Sequence, residues 1–181
     1  WPGVPSGQFG FVSGPAMASV DRARIRVNGR GGHGAEPHKA VDPVVVASSI
    51  VLALQTVVAR NLDPLDMGVV TVASIHGGDA LNVIPAYVDL GLTIRSFSQS
   101  VREELRRRIE AVARSQAESY GAVADVDYQW GFPALINAKT QTEFAKQVAL
   151  TSFPKGTVIE DFRPRTASED FAFMLERKPG A

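Results

Sequence analysis

Three histidines and no cysteine leave this chain few side chains that titrate or bind a soft ligand near neutral pH. His33 has the most suggestive setting, within Gly29-Arg30-Gly31-Gly32-His33-Gly34-Ala35-Glu36-Pro37-His38. Glycines on both sides let backbone approach a ligand closely, so His33 reads either as a solvated loop residue or as a donor aimed at a bound molecule. Pairing His33 with His38 as metal ligands is disfavoured. Their five-residue separation crosses a proline and misses the helical i, i+4 register, and no third ligand is near. Asn82, in Asn82-Val83-Ile84-Pro85, either closes a turn or offers its amide to a substrate carboxylate or amide. Arg95, in Thr93-Ile94-Arg95-Ser96-Phe97, lies among apolar neighbours and reads as a buried structural pair or as a fork for a substrate carboxylate. His38 and His76 take structural roles by default.

The elements that must position these residues follow from hydropathy patterning. Residues 1–18 have the Gly, Pro and Ser content of loops and short strands. Val20, Ala23, Ile25 and Val27 alternate with Arg22, Arg24 and Arg26, which predicts a half-exposed strand broken by Gly29, Gly31 and Gly32. Asp42-Pro43 starts a buried helix that runs to about Arg60. Strands are expected over 67–75 and 86–97, with a glycine loop between them that carries His76 and Asn82. Val101, Leu105, Ile109, Val112 and Gln116 fall at helical spacing, with Arg102, Glu103, Arg106, Arg107 and Glu110 on the other face, and Gly121 ends that helix. Val123, Val126, Tyr128 and Trp130 predict a fourth strand. The order β-α-β-β-α-β over 19–132 is the ferredoxin-like arrangement, an α+β fold with an antiparallel sheet and two helices on one face. Residues 133–181 change character, with helices expected at 142–151 and, capped by Ser168, at 168–176, and a short strand at 157–160. The two flanks, 1–18 and 133–181, read as pieces of an α/β catalytic domain into which 19–132 is inserted.

Bulk composition narrows the function further. The formal charge is zero, with 19 basic and 19 acidic residues, which argues against phosphate-driven nucleic-acid binding. RNA binding on the sheet would want paired aromatics on central strands, and those strands are aliphatic. The apolar stretch Val44–Leu54 is too short to span a bilayer, so no membrane partner is expected. Absence of cysteine excludes disulfides and thiolate metal sites and fits a cytoplasmic location. The chain opens on Trp1-Pro2-Gly3 without a Met, as the middle of a protein would.

Together, three motifs resemble a known family. Gly-Gly-His-Gly-Ala-Glu-Pro-His-Lys-Ala-Val-Asp-Pro (31–43), Gly-Gly-Asp-Ala-Leu-Asn-Val-Ile-Pro (77–85) and Thr-Ile-Arg-Ser-Phe (93–97) look like the lid of the aminoacylase and carboxypeptidase superfamily of metal-dependent amidohydrolases. The branch is that of hippurate hydrolase, the indole-acetyl-amino-acid hydrolases and N-acetyl-diaminopimelate deacetylase. Trp1-Pro2-Gly3-Val4-Pro5-Ser6-Gly7 and Ala167-Ser168-Glu169-Asp170-Phe171 resemble the same branch, so the likeness runs the length of the chain.

The resemblance implies hydrolysis of N-acyl amino acids by one or two divalent ions, zinc or manganese, with a glutamate shuttling the proton. It puts the family's metal ligands before Trp1 and beyond Ala181, so this stretch would bind no metal itself. It implies a homodimer formed through the lid by a sheet edge or helix face. His33 matches the lid histidine that enters the partner subunit's site and steadies the oxyanion. Asn82 and Arg95 match positions that hold the substrate carboxylate. Glu169 and Asp170 read as acids supporting the site or favoured near a helix start. The rival expectation is a non-catalytic ferredoxin-like module for oligomerisation or small-ligand binding, in which His33, Asn82 and Arg95 need not converge.

Overall fold

The computed structural model describes residues 3–181; Trp1 and Pro2, which open the Trp-Pro-Gly motif, lie outside the described residues. The strands and helices run β1 (Phe9–Gly10), β2 (Gly14–Met17), β3 (Asp21–Asn28), β4 (Gly32–His33), α1 (Pro43–Asn61), β5 (Gly68–His76), β6 (Val83–Ile84), β7 (Tyr87–Ser96), α2 (Gln99–Ser119), β8 (Val123–Trp130), β9 (Leu135–Asn137), α3 (Lys139–Ser152), β10 (Val158–Ile159) and α4 (Ala172–Leu175). They fall into two compact units. One is Asp21–Gly131, and the other is made of the flanks up to Val20 and from Phe132 to Ala181.

In the Asp21–Gly131 unit, four antiparallel strands lie in the order β5-β7-β3-β8. α1 carries the chain from β3 to β5 across β7, and α2 carries it from β7 to β8 across β3, so the two crossovers interleave. The class is α+β, with both helices packed on the sheet. The cause is visible in the alternation: Ala23, Ile25 and Val27 of β3 and Val88, Leu90, Leu92 and Ile94 of β7 point to the helices and are buried. α1 answers with Val46, Ile50, Leu54 and Val57, and α2 with Leu105 and Ile109. The residues between them (Arg22, Arg24 and Arg26 on β3; Asp89, Thr93 and Arg95 on β7) face away from the helices and leave a polar open face.

Helix boundaries follow local chemistry. Asp42 accepts a hydrogen bond from the Val44 amide at 2.9 Å, and Pro43 takes the first helical position. Gly121, at φ +74°, closes α2, with the Ala122 amide donating to the Ala117 carbonyl and the Gly121 amide to that of Glu118. Among the described residues α1 is the one helix long and apolar enough to cross a membrane, so the shortness expected of Val44–Leu54 does not hold. Its inward residues are nonetheless committed to the sheet and α2.

Arg102 departs from the polar face that its spacing assigns it. It is buried and grips Asp21 through Nε and Nη2 at 2.8 and 2.6 Å. Asp21 also accepts from the Tyr128 hydroxyl at 3.0 Å and the Gly131 amide at 2.9 Å, while Arg102 donates to the Gly131 carbonyl. The clasp thus joins the first and last residues of this unit. Asp21 sits in the inward phase of β3, and a carboxylate there requires a charged partner.

In the flanking unit β1 pairs parallel with β10 and β2 antiparallel with β9, around a small core of Ala16, Leu135 and Ala172. The helix expected at 168–176 is shorter than its pattern: α4 spans one turn from Ala172, and Ser168 does not cap it. The cause lies just upstream, where Ala18 donates to the carbonyls of Arg165 and Ala167 and holds that segment extended beside β2. α3 begins at Lys139, three residues earlier than its pattern.

Candidate functional site

The loop after β3 and the loop before β7 meet in a two-stranded ribbon, β4 with β6, that pairs Gly32 with Ile84 and His33 with Val83. Beyond it the Gly34 amide donates to the Asn82 carbonyl at 2.8 Å. Glycine is required for this meeting. A Cβ at Gly31 would come within 2.9 Å of the Ile84 oxygen, and one at Gly34 would sit 3.1 Å from the Asn82 oxygen. The result is one exposed rim carrying both His33 and Asn82.

Hydrogen bonding sets which way His33 donates. Its Nδ1 accepts from the Ala35 amide at 3.1 Å. The neutral ring therefore carries its proton on Nε2, which points a donor away from the loop. The Asn82 side chain is exposed and takes no part in holding the loop, whose bonds run through the Asn82 backbone instead. Beyond the one local bond at Nδ1, neither side chain serves the fold.

Arg95 lies elsewhere. It is near the end of β7, nine residues after Ala86, whose carbonyl anchors Gly29 beside the rim. At roughly 3.3 Å per residue the two sites are about 30 Å apart along the sheet. The structure brings His33 and Asn82 together and leaves Arg95 at the opposite end, so all three do not converge within one chain. A buried structural pair for Arg95 is also absent among the described residues, since the buried pair is made by Arg102 with Asp21. Arg95 is half-buried and is steadied through Nη1 alone, which donates to Thr93 Oγ1 at 2.5 Å and to the Ile94 carbonyl at 3.0 Å. Its Nε and Nη2 edge has no hydrogen-bond partner among the described residues. That is the edge by which Arg26 holds Asp89 and Arg102 holds Asp21, each with two bonds of 2.8 Å or less. Burial holds the Arg95 guanidinium below its ordinary value, Asp21 acting against the shift and Arg22 with it. Sequence reasoning missed Thr93 as the anchor, although its i, i+2 spacing from Arg95 places the two on one face of the strand.

The other candidates scatter. His38 sits in an exposed 3-10 turn, and His76 ends β5 opposite Asp89, whose carboxyl is held below its usual range by its bonds to Arg26. In the flanking unit Glu169 accepts from the Asp170 amide, an arrangement local to that turn. An open concavity of about 790 Å³ lies between His76–Ala80 and Pro85–Tyr87, and neither His33, Asn82 nor Arg95 lines it. Among the described residues no three His, Asp or Glu side chains gather as a metal ion would require. The described residues by themselves do not make a metal centre.

Known proteins agree on one family. The peptidase dimerisation domain of the M20 peptidases matches residues 19–121. An N-acetyl-L-cysteine deacetylase from Bacillus subtilis is 39% identical over 180 residues, which cover 99% of this chain and 42% of that protein. An IAA-amino acid hydrolase from Arabidopsis thaliana is 40% identical over 178 residues, covering 96% of this chain and 41% of that one. The crystal structure of a Bacillus subtilis protein, described as a dinuclear metal binding peptidase from the M20 family, superposes with a TM-score of 0.78. It is 28% identical, over 99% of this chain and 44% of its own. The chain spans a little under half the length of these relatives. It belongs to the M20 peptidase dimerisation domain family, whose members related to it include N-acyl amino acid deacetylases and hydrolases.

Proposed function

We propose that this chain is the lid and dimerisation part of a metal-dependent amidohydrolase that cleaves the amide of N-acyl amino acids. The Asp21–Gly131 unit, with its interleaved crossovers, is then a ferredoxin-like lid inserted in a catalytic domain, and the two flanks are pieces of that domain. Supporting the second point, the flanking unit leaves Phe144, Leu150 and Phe153 exposed and buries Asn137 Oδ1 and Arg165 Nε without partners. More polypeptide would complete such a core. Zinc or manganese would be held by that further polypeptide, since no set of ligands occurs among the described residues.

The observation that carries the reading is the separation of two uncommitted groups. His33 and Asn82 stand on one rim, and the open fork of Arg95 stands about 30 Å away. An N-acyl amino acid cannot bridge that gap. One site using all three must take His33 and Asn82 from one subunit and Arg95 from another. In that site Nε2–H of His33 donates to the oxygen of the amide carbonyl as it gains charge. The Asn82 amide and the Arg95 fork orient the substrate carboxylate at the other end.

The fold also offers a surface for the second copy. β5 is an edge strand without charge or proline, whereas the opposite edge, β8, carries Asp125 and Asp127. Beside β5, α1 turns Val45, Ser48, Leu52 and Ala59 outward, again without charge, and Leu52 is 73% exposed. Two copies pairing through β5 and α1 cover both. The test is hydrolysis of N-acetyl amino acids by the full-length protein with added manganese. His33→Ala and Arg95→Gln should each lower turnover by at least tenfold, and wild-type rates in either variant would remove that residue from the site.

A further inference from the structure

Along the open face of the sheet, the arginines of β3 lose their acidic neighbours one by one. Arg26 is chelated by Asp89 at 2.8 Å and faces Asp125 in register. Arg24 faces Asp127. Arg22 faces Gln129 on one side and Thr93 on the other, and neither is an acid. A diagonal neighbour on β7 is Arg95, two residues beyond Thr93, at a separation of about 7–8 Å. Asp21 points to the helix face and is consumed by Arg102, Tyr128 and the Gly131 amide, while Asp127, diagonal to Arg22 on β8, faces Arg24 and accepts from Gln129.

Two guanidinium groups therefore share one end of the face, and neither makes an ion pair among the described residues. Like charges at that spacing repel, and Arg22 adds this repulsion to the burial that chiefly lowers Arg95, with Asp21 acting against both. Such a pair is relieved by an anion that spans both groups. Arg95 offers its open Nε and Nη2 edge, fixed by Thr93, while exposed Arg22 has no partner among the described residues and free reach.

We infer that Arg22 extends the carboxylate subsite of Arg95 to a second carboxylate, which makes N-acyl derivatives of aspartate and glutamate the preferred substrates. This rests on the reading of Arg95 as the fork for the substrate α-carboxylate. Arg22 is the specificity-determining partner: it binds the side-chain carboxylate and takes no part in amide cleavage.

The experiment compares N-acetyl-L-glutamate with its neutral isostere N-acetyl-L-glutamine in the full-length enzyme, as wild type, Arg22→Gln, Arg22→Lys and Arg95→Gln. Wild type should favour the glutamate derivative. Arg22→Gln should cut that preference in kcat/KM about tenfold, the scale of one charge-assisted contact, through KM and with the glutamine derivative unaffected. Arg22→Lys should restore much of the preference, and Arg95→Gln should depress both substrates. If Arg95→Gln is impaired while Arg22→Gln keeps the wild-type ratio, or loses both substrates equally, the inference is overturned and the Arg95 fork stands. If Arg95→Gln acts as wild type on both substrates, the fork itself falls and the inference with it.

Discussion

Asp21→Asn is the substitution whose cost is best defined by the structure. The Asp21 side chain has no exposed surface and accepts four hydrogen bonds, two at each oxygen. Replacing one oxygen with an amide nitrogen sets a donor against two donors. At Oδ2 the Tyr128 hydroxyl can turn and accept, but Arg102 Nε cannot. At Oδ1 the losses are Arg102 Nη2 and the Gly131 amide. Either way at least one buried donor is orphaned, costing about 1–3 kcal/mol, and Arg102 stays buried without its counter-charge. Breaking a buried ion pair from one side costs about 3–5 kcal/mol in total, a large part of the roughly 5–15 kcal/mol that holds a domain folded. Urea unfolding of the 181-residue chain, followed by tryptophan fluorescence, is a suitable assay because Trp130 lies 4.8 Å from the Arg102 guanidinium. A loss below about 1 kcal/mol would refute the clasp as a stabilising centre. The companion double variant, Asp21→Leu with Arg102→Met, removes both charges together and should recover the part of the loss due to the unpaired charge, while the Tyr128 hydroxyl and the Gly131 amide still lack their acceptor.

Two further outcomes follow from the same geometry. Burial, with help from Asp21, raises the Tyr128 phenol above its ordinary value of 10.0. The folded chain then keeps a proton that the unfolded chain releases, so this contribution is whole below about pH 10 and stability falls as pH climbs beyond it. Tyr128→Phe should flatten the alkaline fall in urea midpoint, and an unchanged slope would assign the fall to other groups. On the outer face of α1, Leu52→Asp should shift the full-length protein from dimer toward monomer in sedimentation without loss of helical signal. An intact dimer would place the interface elsewhere.

Features that depend on near neighbours in the chain are legible in the sequence alone. Alternation along β3 and β7, the Asp42-Pro43 start and the Gly121 stop specify the order of elements, because each rests on backbone chemistry within a few residues. Features that depend on distant partners are not. Arg102 fits the polar face of α2 by spacing and is buried only because Asp21, 81 positions earlier, faces the same interior. Ser168 has the residue type of a helix cap, yet the pairing of Ala18 with Ala167 keeps the chain extended there. For the site, the glycines around His33 signal a close backbone approach, and its target is Asn82. The distance from that rim to Arg95 is set by the register and length of β7, which spacing along the chain does not reveal. It is on that distance that the proposal of a site shared by two subunits rests.

The central claim is that His33 of one subunit and Arg95 of the other serve one site. The direct measurement is a mixed dimer of the full-length enzyme, one subunit carrying His33→Ala and the other Arg95→Gln, purified through two different affinity tags. Each variant alone should be nearly inactive. In the mixed dimer one site receives both substitutions and the other receives neither, so about half the wild-type activity should return. If instead the mixed dimer is as inactive as its parents, His33 and Arg95 act within one chain and the composite site is wrong.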